Sequence, residues 1–369
     1  MCYGSRIERE LSEPVVPVEP VETVEERFLI WLDSLGIQPS EVTPLPGDVS
    51  SRRYFRIHRA EREPAILAVY PNTANTANSA SSVNPEGSAC ARFLETTRLF
   101  EAAGIRIPRI LASNARAGLM LVEDLGEVSV FDLSDGSWSD LCPHIEAAIE
   151  TLALLAARPA AEFTRINPLL DAQRLTDELR DAQRVFLGSS DFSGEEPERA
   201  SLYTALDKLS RALASDPLVP SHRDFMSRNL MLLSDGSGAA VIDHQDACLA
   251  PRFYDLASLL NDSLFLSPSH EEQLLGRIAA DQELLMSYRR CAVQRTLKAT
   301  ATYVKFALRG FDRHLALIAP TLARTAFQLE RLPEGESVPS SIFSRWRDRE
   351  SIAEGIERLL RASQRGSRA

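Results

Sequence analysis

Apolar residues follow two different periods along the chain. Short runs rich in aromatic and β-branched residues come first, at about residues 54–57, 66–70 and 119–122, and this composition is typical of strands. Elsewhere apolar residues recur every three or four positions, as amphipathic helices require. This spacing predicts helices at about residues 28–35, 91–100, 143–157, 168–187, 197–214, 286–309 and 344–362. The chain therefore combines an early region that contains the strands with a later region that is mostly helical.

A polar segment within this later region carries the candidate chemistry. His222, Asp224 and Asn229 follow the spacing H-x-D-x-x-x-x-N, and a short apolar strand then leads into Asp243. A phosphoryl-transfer enzyme needs a carboxylate to orient the acceptor hydroxyl, and oxygen ligands for the Mg²⁺ that accompanies the nucleotide. Loop, strand and acidic tip come in the order that such a metal site requires, so the segment predicts a phosphotransferase.

Five phrases of the sequence carry a resemblance to a known family. They are GDVSSRRYFRI, LVEDLG, HRDFMSRNLM, IDHQDA and YDLASLL, and together they span most of the chain. With them the chain resembles the aminoglycoside phosphotransferase and choline kinase family, whose fold is like that of protein kinases. Within that family it is most similar to the bacterial anomeric kinases of N-acetylmuramate and N-acetylglucosamine, which phosphorylate the sugar 1-hydroxyl during cell-wall recycling.

The resemblance implies an α+β fold with two lobes, a small antiparallel-sheet N-lobe and a mainly helical C-lobe. The N-lobe would span residues 23–124 and bind the nucleotide, while residues 125–332 would carry catalysis and acceptor binding. Residues 333–369 would form a linker and a C-terminal helix. The acidic, proline-rich residues 1–22 predict a disordered tail, and the polar residues 72–88 predict an insertion between a strand and a helix.

The resemblance also assigns roles within the polar segment. Asp224 would be the catalytic base, Asn229 and Asp243 would bind Mg²⁺, and ATP would be the co-substrate. His222 would support the catalytic loop. Asp255 would either support that loop as well or cap the helix that follows it.

The N-terminal phrases are expected to bind the nucleotide. Ser50, Ser51, Arg52 and Arg53 would face the phosphates, and Glu123, Asp124 and Leu125 would form a hinge beside adenine. The strand at 66–70 has no lysine for the α and β phosphates, where most relatives keep one, since the first lysine of the chain is Lys208. That contact is then absent, made by water, or replaced by an arginine such as Arg53.

The acceptor side is expected near the metal ligands and on the helix at 286–309. Asp246, Arg295 and Lys298 are the candidate acceptor-binding residues, and the two cations would meet a carboxylate on the substrate. The basic residues of this helix could equally form a solvated face that pairs with acidic neighbours. A cationic aminoglycoside would instead prefer an acidic cleft.

Composition narrows the class of protein further. A chain of 369 residues with 44% hydrophobic residues is long enough for two lobes and a real core. Its net charge of −11 argues against a general affinity for nucleic acid. Without a membrane-length apolar run, a signal-peptide core or paired cysteine spacing, the sequence predicts a cytoplasmic protein with reduced thiols. The expected partner is a small-molecule sugar acceptor, and neither nucleic acid nor membrane.

Two other functions stay open from the sequence. The acceptor could be an aminoglycoside or another small alcohol, within the same reaction class. The missing strand lysine also allows a nucleotide-binding module that does not turn over. His244, which stands where relatives usually keep an aromatic residue, raises the question of how the metal-ligand turn is supported.

Overall fold

The fold was analysed in a computed structural model. It describes residues 24–45, 52–70, 89–187, 196–279, 281–339, 343 and 349–366. The predicted tail at 1–22, the predicted insertion at 72–88, and Ser50 and Ser51 lie outside the described residues.

An antiparallel sheet forms the N-terminal part. Its elements are α1 (Val24–Ser34), β1 (Pro39–Pro44), β2 (Arg53–Arg59), β3 (Arg62–Val69), α2 (Ala89–Ala102), β4 (Ile110–Asn114) and β5 (Leu119–Glu123). The strand order is β1-β2-β3-β5-β4, and every neighbouring pair is antiparallel. Phe28 and Leu32 of α1 pack on one face of the sheet, against Phe55 and Ile57. Phe93 and other apolar residues of α2 cover the opposite face.

Helices dominate the rest of the described chain. They are α3 (Trp138–Ala156), α4 (Ala160–Phe163), α5 (Ala172–Ala182), α6 (Glu196–Ala214), α7 (Tyr254–Leu260), α8 (Pro268–Leu275), α9 (Gln282–Leu308), α10 (Leu315–Leu329) and α11 (Arg349–Gly366). Short 3₁₀ or π segments lie at Val130–Leu133, Gln183–Leu187, Ser227–Asn229, His244–Asp246 and Pro333–Gly335. One large core joins these elements, and the buried face of α9, with Val293, Leu297 and Val304, lies within it. None of the described helices is long and apolar enough to cross a membrane.

Two small strand pairs frame the predicted catalytic segment. Strand β6 (Leu218–Ser221) pairs with β9 (Cys248–Pro251), and β7 (Leu230–Leu232) pairs with β8 (Ala239–Val241). The loop at 222–229 therefore leaves one pair and enters the other, which fixes both of its ends. The predicted α+β fold, an antiparallel sheet followed by a mainly helical part, is confirmed.

Candidate active site

His222 holds the start of the loop with both ring nitrogens. Its Nε2 lies 2.9 Å from the carbonyl oxygen of Ile242, and the Asp224 N–H donates to its Nδ1 at 3.3 Å. Because a carbonyl can only accept, the ring proton must be on Nε2, and Nδ1 is left to accept. The imidazole is fully buried. These contacts are those of a residue that supports the loop and links it to the strand before Asp243.

Asp255 fixes the backbone at the same point. Its carboxylate accepts from the N–H groups of His222 (2.5 Å) and Arg223 (2.9 Å). Arg223 has φ of +80°, a left-handed conformation that is costly for a residue with a side chain. The N-terminal cap of α7 is Phe253, so the contacts of Asp255 are those of a loop support and not of a helix cap. Burial raises the pKa of Asp255, against the lowering effect of His222 and the two N–H donors.

Asp262 supports the other half of the loop, and sequence reasoning missed it. Its Oδ2 accepts from the backbone N–H of Ser227 at 2.8 Å and from the Ser227 hydroxyl at 2.6 Å. An acidic residue just beyond a helix C-terminus faces the negative end of the helix dipole. The unfavourable position of Asp262, just after the apolar segment of α7, could therefore have indicated that this carboxylate has specific hydrogen-bond partners.

The Asp224 carboxylate lies next to two cations of α9. Both terminal nitrogens of Arg295 are 3.3 Å from its Oδ1, and Lys298 Nζ is 4.0 Å away. The Asp224 side chain is 35% exposed, whereas that of Arg295 is only 8% exposed. Burial raises the pKa of Asp224, but the nearby Lys298 and Arg295 outweigh it, so that the pKa lies well below its ordinary value. Asp224 is therefore an ionised hydrogen-bond acceptor at neutral pH and a weak base.

Glu178 of α5, also missed from the sequence, completes this arrangement. It contacts Arg223 (3.2 Å), Lys298 (3.5 Å) and the amide of Gln294 (2.7 Å). The acceptor-side cluster is defined here as Glu178, Arg223, Asp224, Arg295 and Lys298. Three cations face two carboxylates in this cluster, which gives an excess of one positive charge. The predicted alternative was a solvated basic face that pairs with acidic neighbours. Arg295 is buried and therefore not solvated, but it does pair with an acidic neighbour, Asp224.

Arg295 and Lys298 differ in how firmly they are held. Arg295 donates to the Ser258 hydroxyl at 2.8 Å and to the Tyr254 hydroxyl at 3.1 Å. Lys298 Nζ has oxygen neighbours at 3.4 Å on Tyr254, 3.5 Å on Glu178 and 4.0 Å on Asp224. Charged hydrogen bonds normally measure about 2.7–2.9 Å, so Lys298 is the more loosely held cation.

The two predicted metal ligands line one cavity. Asn229 Nδ2 donates to the backbone oxygen of Asp224 at 2.8 Å, which leaves the amide oxygen as the atom that a cation would use. Asp243 adopts a left-handed conformation at the end of β8, and its Oδ1 accepts from Gln245 at 2.9 Å. An amide oxygen and a carboxylate are ligands that suit Mg²⁺. The donor set therefore fits the predicted ion.

Asp246 lies next to the predicted metal ligand Asp243. The Gln245 amide nitrogen that contacts Asp243 also donates to Asp246 Oδ2, at 3.1 Å. Its described contacts place Asp246 beside the metal candidates instead of beside Arg295 and Lys298.

The cavity has a volume of about 440 Å³ and lies between the sheet and the helical part. Alternate residues of three strands form its sheet wall. They are Arg52, Tyr54 and Arg56 in or just before β2, Ile66, Ala68 and Tyr70 in or just after β3, and Met120 and Val122 in β5. The predicted hinge, Glu123 to Leu125, lines the same cavity, as do Asn229 and Asp243. One space thus connects the predicted hinge to the predicted metal ligands.

The hinge carboxylates are engaged by arginines. Glu123 contacts Arg106 at 2.7 Å, and Asp124 contacts Arg56 at 2.6 Å. Their side chains thus brace the segment, which leaves its backbone groups as the candidates for contact with a nucleotide base.

Arg52 and Arg53 lie on opposite sides of the sheet. Arg52 Nη1 is 3.4 Å from Asp243 Oδ1, and its side chain is 19% exposed. Arg53 pairs with Glu25 of α1 at 2.6 Å and is 51% exposed. Arg52 therefore lies with the predicted hinge residues at the cavity, whereas Arg53 does not.

His244 acts as a neutral ring in the core. It lies 4.4 Å from the Phe93 ring and 5.2 Å from the Phe100 ring, centroid to centroid, and its Nε2 is 2.8 Å from the Thr97 hydroxyl. Burial lowers the pKa of His244 to about 3. An uncharged imidazole thus joins the metal-ligand turn to α2, in the way an aromatic side chain would.

The fold and the site define a phosphotransferase with a kinase-like architecture. Residues 41–293 match the APH family, described as the phosphotransferase enzyme family, and the chain belongs to it. The N-acetylmuramate/N-acetylglucosamine kinase of Pseudomonas aeruginosa is 30% identical over 251 residues, which cover 64% of this chain and 68% of that protein. A protein of the same name from Caulobacter vibrioides is 30% identical over 281 residues, covering 69% of this chain and 76% of that protein. The predicted family is confirmed.

A solved structure supports the fold independently. The GDP complex of wild-type aminoglycoside 2'-phosphotransferase-IIIa aligns with a TM-score of 0.57 and 14% identity, covering 83% of this chain and 98% of that one. At that identity the likeness shows the fold alone.

Proposed function

We propose that this protein transfers the γ-phosphoryl group of ATP to the anomeric hydroxyl of N-acetylmuramate or N-acetylglucosamine, in the recycling of cell-wall sugars. Its family membership and the two relatives of that name support the reaction and the acceptor. One structural observation carries the proposal: the Asn229 side chain joins the Asp224 backbone to the cavity that Asn229 and Asp243 line. The use of ATP implies a cytoplasmic enzyme.

The proposed nucleotide site is the cavity between the lobes. Residues 23–124 would form the N-lobe and residues 125–332 the C-lobe, with the hinge near Asp124 beside the base. The walls of the cavity are largely apolar, with polar groups at its ends, as suits a base at one end and phosphates at the other. Asn229 and Asp243 would hold Mg²⁺, which supplies positive charge to the β and γ phosphates when bound.

Asp224 is the proposed catalytic residue. It would accept a hydrogen bond from the acceptor hydroxyl and direct the oxygen at the γ-phosphorus. Because its pKa is low, Asp224 would contribute mainly orientation and would take the proton only as the new O–P bond forms. An anomeric hydroxyl is more acidic than an ordinary alcohol, since the ring oxygen withdraws electrons, and this suits a weak base.

The acceptor-side cluster supports an anionic acceptor. N-acetylmuramate carries a carboxylate that N-acetylglucosamine lacks, and the cluster has an excess of positive charge. Lys298 is the proposed partner of that carboxylate, because its present contacts are long and can be exchanged. Arg295 is the proposed support of Asp224, because it is buried and held by Tyr254 and Ser258.

A phosphate-transfer assay tests the function. The purified protein is incubated with Mg²⁺, with ATP or GTP, and with N-acetylmuramate, N-acetylglucosamine, choline or an aminoglycoside, and products are identified by phosphorus NMR. We expect a sugar 1-phosphate with the two amino sugars and ATP. Turnover only with choline or the aminoglycoside would show that the acceptor is not one of the two sugars. Nucleotide binding without any turnover would instead favour a non-catalytic nucleotide-binding module.

A further inference from the structure

The sheet wall of the cavity has no cation on β3. The residues of β3 and its end that face the cavity are Ile66, Ala68 and Tyr70. A nucleoside triphosphate carries several negative charges, and a kinase site needs positively charged groups beside the phosphates in addition to the metal. Some other element must supply that charge if the cavity binds a nucleotide.

Two cations line the cavity among its described residues, and they lie at opposite ends of it. Arg56 is at the hinge end, where Asp124 at 2.6 Å and Glu127 both pair with it. Arg52 is at the other end, where its Nη1 lies 3.4 Å from Oδ1 of Asp243, a proposed metal ligand. Of these two cations, Arg52 is therefore the one nearer to where the phosphates would lie.

Tyr70 places Arg52 at the point where the strand lysine is missing. Tyr70 follows β3 directly, is 4% exposed and lines the cavity beside Arg52, because Arg53 pairs with Val69 in the β2–β3 register. Burial raises the pKa of Tyr70, so its hydroxyl is neutral and can hold a guanidinium without competing for its charge. The arginine that precedes β2 therefore lies next to the end of β3.

We propose that Arg52 takes the place of the missing strand lysine, and that it exchanges Asp243 for the nucleotide phosphates when a metal–nucleotide complex binds. This inference rests on the proposed function, because it needs a nucleotide in the cavity. The exchange follows from charge: a divalent cation on Asp243 repels the guanidinium, while the phosphates offer it a new anionic partner. At 3.4 Å the Arg52–Asp243 contact is longer than a tight charged hydrogen bond, so it can be given up.

The chain offers a matched control for the test. Arg53 is the next residue, carries the same charge and pairs with Glu25 on the far side of the sheet. Arg52→Gln and Arg53→Gln therefore remove the same group from adjacent positions that face different surroundings. Thermal unfolding of both variants first establishes that they are folded.

Two binding measurements are made on each variant without any acceptor. ADP binding in the presence of Mg²⁺ is measured by titration calorimetry, and binding of Mn²⁺ alone is measured by electron paramagnetic resonance. We expect Arg52→Gln to weaken ADP binding about tenfold or more, since one charged contact to phosphate is lost, while Arg53→Gln stays within about twofold of the wild type. We expect Arg52→Gln to bind Mn²⁺ alone more tightly, because Asp243 loses a competing cation.

The opposite signs separate this inference from a structural defect. A variant that is merely distorted would weaken both ligands, and that result would overturn the exchange. Equal ADP affinities for the Arg52 and Arg53 variants would overturn the role of Arg52 altogether. Failure of the proposed function gives a different result: a wild-type protein that binds ADP but phosphorylates neither sugar would contradict that function and leave this inference standing, whereas a wild-type protein that binds no ADP would contradict both.

Discussion

The sheet wall of the cavity and the acceptor-side cluster hold their charges differently. On the sheet wall, Arg52 and Arg56 lie at opposite ends of the cavity, and each has its own carboxylate partners. In the acceptor-side cluster the partners are shared, so that Asp224 and Glu178 each have more than one cation nearby. A substitution on the sheet wall should therefore remove one contact, whereas a substitution in the cluster should change the charge balance around Asp224 as well.

The strongest test of the acceptor-side cluster is to remove the Asp224 carboxylate. Asp224→Asn keeps the shape but cannot accept the hydroxyl proton, so we expect kcat to fall about 10³-fold with little change in the KM for the nucleotide. Steady-state kinetics with either sugar would measure this. The exposed Asp235, whose carboxylate accepts from Ser237 in the β7–β8 turn, gives a control in Asp235→Asn. Full activity of Asp224→Asn would contradict the assigned role.

The next prediction concerns the charge balance. Arg295→Gln removes two contacts to Asp224 and one cation, so kcat should fall roughly 10- to 100-fold with both sugars. Loss of a cation raises the pKa of a carboxylate, so the acid limb of the kcat/KM profile should move to higher pH.

Arg290→Gln is the matched control for this change. Arg290 lies on the same helix and pairs with Glu334 at 2.9 Å. It should leave the pH profile where it is. An unmoved acid limb in Arg295→Gln would show that the cation does not act through Asp224.

Lys298 should separate the two sugars. Lys298→Met removes the loosely held ammonium, so we expect the KM for N-acetylmuramate to rise about tenfold and that for N-acetylglucosamine to change less than about threefold. Lys305→Met is the control, because Lys305 is on the same helix and pairs with Asp181 instead. Equal changes in KM for the two sugars would show that Lys298 does not bind the carboxylate of N-acetylmuramate.

The smallest effect is expected for His244, in the turn that carries Asp243. His244 has a pKa lowered by burial to about 3, so below about pH 6.5 the unfolded chain binds a proton that the folded chain does not. Folding stability should therefore fall with decreasing pH, by at most about 1.4 kcal/mol per pH unit from this group. Denaturant unfolding between pH 7 and pH 5 should show that the free energy of unfolding depends less steeply on pH in His244→Phe than in the wild type. An equal pH dependence of the unfolding free energy in the two proteins would mean that the imidazole can be protonated in the folded state.

Local sequence determined much of this protein. The spacing of apolar residues predicted the 27-residue helix α9 almost in full, as 286–309 against Gln282–Leu308, since a buried stripe is a property of the helix itself. The order of loop, strand and acid around Asp224 and Asp243 was likewise readable, because the spacing reflects short-range geometry. Even the choice between Arg52 and Arg53 was within reach. Phe55 is an apolar residue of β2, and alternation puts Arg53 on its face of the strand and Arg52 on the other.

Tertiary structure decided the rest. Glu178 and Asp262 reach the catalytic loop from elements 45 and 35 residues away in sequence, and nothing in their local pattern specifies those partners. The low pKa of Asp224 likewise arises only once α9 packs beside the loop, since burial alone would raise it. Periodicity along a chain records which face of an element is buried, but the charges that meet at a site come from elements that only the folded chain brings together.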